Sequence, residues 1–280
     1  MIHTLDKCTS IRWSVFLFLL SGLFAGCQSG SSVANSTGHF PQKTGFVQRT
    51  VVVDGVAKPV WVFVPPHYNP YRMYPAILFL HGLFEEGNGG TNVLSAGLGP
   101  IIARNPDQWP FITIFPQSNG TWQGTEREHL AMAALDDAEQ NYMIDPDRII
   151  LAGLSYGGLG VWEIGARHRD RFAAFVPISG MRAPDLINDL TSTPVWAFAS
   201  EGDPFVSHEN SQIMCKAIDD HGGRAKLTEF PGMNHDCWAM AVDQSDLLSW
   251  MLVQHRNPLQ TARASGGKSP ISGHLRAFTE

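Results

Sequence analysis

The chain has 280 residues, 44% hydrophobic and 16% charged, with a formal net charge of −6. That length suits one folded domain with a sizeable core. The acidic balance, without a long run of Lys or Arg, excludes a nucleic-acid partner read from charge, and no repeat of solenoid type is present.

Residues 1–26 read as an export signal. Lys7 and Arg12 precede the apolar run Val15-Phe16-Leu17-Phe18-Leu19-Leu20, and the small residues Gly22, Ala25 and Gly26 follow. The apolar run is short of the ~20 residues that a bilayer span needs. Leu23-Phe24-Ala25-Gly26-Cys27 resembles the lipobox of bacterial lipoproteins, which implies acylation of Cys27. Phe24 departs from the aliphatic residue usual there. A polar tether, 27–45, would separate such a lipid from the folded domain, 46–256. Cys215 and Cys237 are then the cysteines of that domain. Their bridge is neither required nor forbidden by sequence.

Two Val-rich β runs, 46–53 and 59–64, flank Asp54-Gly55 and read as a hairpin. Residues 74–80 form a continuous apolar run that suits a strand buried on both faces. Strand-like text recurs at 111–115, 148–152, 172–178, 195–199 and 225–230. Helical spacing appears at 126–143, 156–171, 209–221 and 243–255, and Asp145-Pro146-Asp147 reads as a turn. The alternation predicts an α/β fold: a mostly parallel sheet covered by helices on both faces, with an antiparallel N-terminal hairpin at one edge. The tail, 257–280, reads as weakly ordered.

Chemistry concentrates at the ends of the strands. Gly153-Leu154-Ser155-Tyr156-Gly157 is a G-x-S-x-G motif between a buried strand and a helix, the setting of a nucleophile elbow. Gly153 and Gly157 permit the tight approach, and Ser155 is the candidate nucleophile. Its base and orienting acid should follow in the order acid, then His. Asp203 lies in the turn after the strand at 195–199, and His235 in the loop after 225–230. Glu201 is a rival acid and Asp185 a weaker one. His208, His221 and His255 fit structural or solvated roles, and Asp236 a loop or cap role. The oxyanion hole needs two backbone N–H donors. Tyr156 and Leu83 are placed to supply them, with His81 bracing the loop of Leu83.

Leu80-His81-Gly82-Leu83, Gly153-Leu154-Ser155-Tyr156-Gly157-Gly158, Gly202-Asp203-Pro204-Phe205-Val206 and Asn234-His235-Asp236-Cys237-Trp238 resemble the phospholipase/carboxylesterase branch of the α/β hydrolases. Glu85-Glu86-Gly87 and Asp145-Pro146-Asp147-Arg148 also resemble secreted bacterial relatives labelled predicted peptidases. The resemblance covers 46–256. It implies an α/β-hydrolase fold, a triad of Ser155, Asp203 and His235, oxyanion donors at Leu83 and Tyr156, and acyl transfer without a metal or organic cofactor. An ester hydrolase is the leading expectation. A serine peptidase or aminoacyl amidase on the same triad is the alternative, followed by a thioesterase or lysophospholipase and by a non-catalytic binding lipoprotein. The segment 181–194 is too short for a multi-helix cap, so Ser155 should open to a shallow cleft. Trp122 and Trp238 are candidates for its rim, with core packing as their other role. An open site on an exported protein suits short acyl groups on a larger carrier such as an acylated polysaccharide.

Overall fold

The computed structural model describes residues 43–181, 183–232 and 234–256. The expected signal (1–26), Cys27, the tether up to residue 42 and the tail (257–280) lie outside the described residues. Strands β1 (Gly45–Val53) and β2 (Val56–Val64) form the hairpin, in register from Gly45↔Val64 to Val53↔Val56. Asp54 and Gly55 take φ of 49° and 80°. Two left-handed residues give the turn whose twist matches that of the flanking strands.

β3 (Tyr74–Leu80), β4 (Ile112–Pro116), β5 (Ile144–Leu154), β6 (Ala174–Ile178), β7 (Val195–Ser200) and β8 (Ala225–Phe230) complete an eight-stranded sheet in the order β1-β2-β4-β3-β5-β6-β7-β8. β2 meets β4 antiparallel, and every pairing from β4 to β8 is parallel. Helices α1 (Leu98–Arg104), α2 (Thr125–Asn141), α3 (Tyr156–Arg167), α4 (Ile187–Leu190), α5 (Glu209–Asp220), α6 (Trp238–Gln244) and α7 (Leu247–Leu252) cover it. The period of two along β3 divides the core. Ala76, Leu78 and Leu80 pack with Leu130 and Ala134 of α2, Val161 of α3 and Met214 of α5. Ile77 and Phe79 pack on the other face with Leu98 and Ile102 of α1, Trp238 of α6 and Leu247 of α7. The expected α/β architecture, with its mostly parallel sheet and edge hairpin, is the one observed.

Four local readings change. The single helix expected over 243–255 is two, α6 and α7, broken at Ser245. The Ser245 hydroxyl donates to the Ala241 carbonyl and accepts the Leu247 N–H, so one side chain ends one helix and starts the next. The helix expected over 156–171 stops at Arg167, and a separate 3₁₀ turn covers Arg169–Arg171. Asp145-Pro146-Asp147 sits within β5, where the pairing shifts from Tyr74↔Ile144 to Ala76↔Ile149. The Asp147 N–H turning back to Asp145 Oδ1 makes that irregularity. Helix α1 is not among the expected helices, although Leu98, Ile101 and Ile102 have helical spacing and are buried.

The passage from β5 into α3 is set by backbone contact. A Cβ at Gly157 would lie 1.8 Å from the Leu80 carbonyl oxygen, and one at Gly153 would lie 2.4 Å from the Gly157 backbone. Both obstacles are main chain, so no rotamer change can relieve them. Gly157→Ala should therefore destabilise the fold by ~3 kcal/mol or more. Gly90→Ala, where the nearest atom is 3.9 Å away, should stay within ~0.5 kcal/mol of the parent. Urea unfolding of the two variants checks the contrast.

Candidate active site

Ser155 stands between β5 and α3 with φ 58° and ψ −111°. A non-glycine residue held there stores of order 1–3 kcal/mol of strain, and the surroundings must hold it in place. Its N–H donates to the Ile178 carbonyl (2.9 Å), and its own carbonyl accepts from Leu159 (3.0 Å). Tyr156 opens α3, so its N–H belongs to the first turn, where no intrahelical acceptor is available. That N–H and the positive end of the helix favour negative charge beside Ser155.

The loop after β3 carries the second proposed donor, Leu83, and is clamped on several sides. His81 is buried, with Nδ1 2.6 Å from the Gly82 carbonyl oxygen and Nε2 accepting the Ser118 N–H at 2.9 Å. This places the proton on Nδ1 and makes the ring neutral. Burial agrees, lowering the His81 pKa to about 4. The Glu85 carboxylate accepts the Gly82 N–H at 3.0 Å. Gln117 donates to the Glu85 carbonyl (2.9 Å) and accepts the Gly89 N–H (2.5 Å). Burial raises the Glu85 pKa, and the nearby Asp236 adds to the rise.

Asp203 and His235 come together at the ends of β7 and β8. His235 Nδ1 is 2.9 Å from Asp203 Oδ1 and 2.8 Å from Oδ2. Asp203 Oδ1 also accepts the N–H groups of Phe205 (2.8 Å) and Val206 (3.0 Å). The acid is therefore fixed in orientation, and its side chain is 1% exposed. With Nδ1 turned to the carboxylate, Nε2 is left as the basic nitrogen. Ser179, which no sequence motif singles out, links the His235 loop to the end of β6 beside Ser155. Its hydroxyl donates to the His235 carbonyl (2.7 Å), and the residue before it, Ile178, accepts from Ser155.

The rivals lie elsewhere. Glu201 is exposed, and Asp185 sits in the turn Pro184–Leu186. His208 pairs with Glu229 at 2.5 Å, and His221 bonds the Ala217 carbonyl at the end of α5. Asp236 accepts the N–H groups of Gly97 (2.8 Å) and Trp238 (3.1 Å), a loop-bracing role.

Trp122 and Trp238 do not line a rim: both are 0% exposed. Trp122 lies under the loop of Leu83, donating its indole N–H to the His81 carbonyl at 2.9 Å. Trp238 packs edge-on against Phe79 in the core. Burying such large rings outweighs any gain from exposing them. The exposed aromatics by His235 are Phe84 and Phe205, 70% and 66% exposed. Their rings meet at 6.3 Å, and Phe205 lies 5.0 Å from the His235 ring. Among the described residues, β6 and β7 are joined by the turn Pro184–Leu186 and the one-turn α4, with no multi-helix cap.

Cys215 and Cys237 are both free and buried, and burial pushes each thiol up to about 12. Neither is a nucleophile at neutral pH. Among the described residues no group of His, Cys, Asp and Glu could hold a metal ion.

Residues 113–247 match the model of the dienelactone hydrolase family, a stretch that includes Ser155, Asp203 and His235. The chain is 28% identical over 171 residues to Dipeptidyl-peptidase 5 of Porphyromonas gingivalis, covering 56% of this chain and 24% of that protein. It is 26% identical over 176 residues to the bifunctional acetylxylan esterase/xylanase XynS20E of Neocallimastix patriciarum, covering 59% and 24%. The chain thus spans about a quarter of the length of these curated relatives. A solved structure of a thermostable esterase is similar with a TM-score of 0.68 at 27% identity, covering 75% of this chain and 63% of that one. The sheet order, the strained elbow serine and these similarities agree: the chain belongs to the α/β-hydrolase superfamily.

Proposed function

We propose that the protein is an exported serine hydrolase of carboxylic esters, with Ser155 as nucleophile, His235 as general base and Asp203 as orienting acid. The observation that carries this reading is the Asp203–His235 pair, held at adjacent strand ends and tied through Ser179 and Ile178 to a strained Ser155. His235 takes the Ser155 proton as Oγ attacks the ester carbonyl. The N–H groups of Leu83 and Tyr156 receive the oxyanion. The tetrahedral adduct collapses, and His235 returns the proton to the departing alcohol. Water, deprotonated by His235, then releases the acid from the acyl-serine. No step draws on a metal or organic cofactor.

Among the described residues the short connection between β6 and β7 adds no multi-helix cover, and exposed Phe205 lies beside His235 with Phe84 against it. Short acyl esters, presented on a carrier such as a polysaccharide, suit that shape. The XynS20E similarity supports this substrate class. The Dipeptidyl-peptidase 5 similarity supports an aminoacyl amidase as the second reading. Export, with Cys27 as the acylated residue, rests on the signal at 1–26 and on similarity to an uncharacterised secreted protein of Arthroderma benhamiae.

Ser155→Ala and His235→Ala should each lower hydrolysis of 4-nitrophenyl acetate ~10⁴-fold or more. Asp203→Asn should cripple turnover, and Glu201→Gln should not. A parent enzyme that cleaves aminoacyl 4-nitroanilides more efficiently than acetyl to butyryl esters would transfer the assignment to the amidase reading.

Glu85 gives a pH-dependent test of the oxyanion loop. Its raised pKa means that ionising the carboxylate costs stability in the folded state. That cost is absent below the ordinary value of 4.5 and grows as pH rises through the raised one. Glu85→Gln keeps an acceptor for the Gly82 N–H and removes the charge. Its melting temperature relative to the parent should rise from pH 4 to pH 8; a flat or falling difference refutes the burial argument.

Cys27→Ser should abolish labelling by a fatty-acid analogue and move the protein from the membrane fraction to the soluble one. Retained labelling would remove Cys27 as the lipid site.

A further inference from the structure

Beside the Ser155 site, the hairpin tip, the end of β4 and the start of α2 enclose a cavity of about 340 Å³. That volume is within the range of small-molecule sites. The pairings Val60↔Pro116, Leu78↔Ile114 and Leu80↔Gly153 set Gln117 at the level of His81 and Leu154, and Lys58 at that of Gly82 and Ser155. The cavity therefore lies along the same edge of the sheet as the nucleophile. In the order β2-β4-β3-β5, β4 and β2 stand two and three strand spacings from β5, roughly 10–14 Å at ~4.8 Å per spacing.

The wall between the two places belongs to both. Gln117 lines the cavity and also ties Glu85 and Gly89 of the oxyanion loop. A ligand in the cavity thus rests against the segment that positions Leu83.

The lining is polar but balanced in charge, with Asp54 and Glu126 against Lys58 and Arg127. Lys58 lies 3.7 Å from Glu126, and Asp54 pairs with His129 at 3.1 Å. Arg127 donates to the backbone carbonyls of Gln123 and Asn119. Among the described residues, the side-chain amides of Asn88 and Asn119 have no protein partner, and both residues are exposed. An amide both donates and accepts, which fits hydroxyl groups. A balanced lining offers a net charge of either sign no advantage. Buried Val53 and Leu130 supply an apolar floor.

We propose that this cavity is a subsite for a neutral sugar unit of the carrier whose ester is cleaved at Ser155; the inference rests on the esterase reading above. The double variant Asn88→Ala/Asn119→Ala is compared with the parent on partially O-acetylated xylotetraose and on 4-nitrophenyl acetate. The ratio of kcat/KM for the oligosaccharide to that for the aryl ester should fall ~10-fold, as loss of two ligand hydrogen bonds implies. In parallel, unacetylated xylotetraose is titrated into the Ser155→Ala protein and followed by backbone amide NMR. Shifts at Asn88, Asn119 and Arg127 that saturate at millimolar sugar support the subsite. An unchanged ratio, absence of shifts at those residues, or shifts there with tetraalanine and not with the sugar would overturn it. Failure of the esterase reading itself looks different: the parent would then show no Ser155-dependent hydrolysis of 4-nitrophenyl acetate.

Discussion

Three stretches of main chain converge where β3, β5 and α3 meet. The Gly157 Cα lies so close to the Leu80 carbonyl, and Gly153 so close to Gly157, that neither position has room for a single carbon. Gly158 adds a third approach, since a Cβ there would stand 2.6 Å from the Gly180 Cα. These contacts fix the backbone of Ser155 against the strand that leads into the loop of Leu83. A Cβ on Gly82 would lie 3.6 Å from the Ser155 Cβ, so loop and serine are already neighbours. The placement of the candidate catalytic groups depends on those glycines staying bare.

Around that contact the polar groups are arranged so that little is left to move. His81 is held neutral between Gly82 and Ser118, Glu85 caps the Gly82 N–H, and Gln117 spans the loop. The acid side follows the same logic, with Asp203 taking the Phe205 and Val206 N–H groups as well as the imidazole. Donors and acceptors fixed in advance need no reorganisation as charge develops, which is the main electrostatic advantage of such a site. The buried Glu85 stands apart from this: burial raises its pKa and the nearby Asp236 adds to the rise, so its charged form is costlier here than in water.

Much of the fold could be read from the sequence because its signals are local. Asp54-Gly55 dictates its own turn, unbroken apolar runs such as Tyr74–Leu80 announce strands buried on both faces, and the G-x-S-x-G motif carries its steric reason within itself. That Asp203 and His235 meet at neighbouring strand ends is legible because each follows a recognisable strand. What escaped depends on contacts between distant segments. Ser179 acquires its role from the loop of His235, 56 positions further along the chain. Phe84 and Phe205 are exposed, while Trp122 and Trp238 are buried, because burial is decided by where the sheet and helices close and residue type does not report it. The break at Ser245 was missed because a serine inside a helical pattern gives no sign of which way its hydroxyl will turn.

The backbone angle of Ser155 has a consequence for how the molecule ages and adapts. At φ 58° and ψ −111° a glycine would sit at ease where serine is strained. A glycine there would relieve the strain and at the same time remove the candidate nucleophile. On the proposed triad, a protein that keeps this serine for turnover must recover the deficit elsewhere, in the two packed faces of the sheet. On that reading, heat resistance and reactivity are set against each other at a single residue.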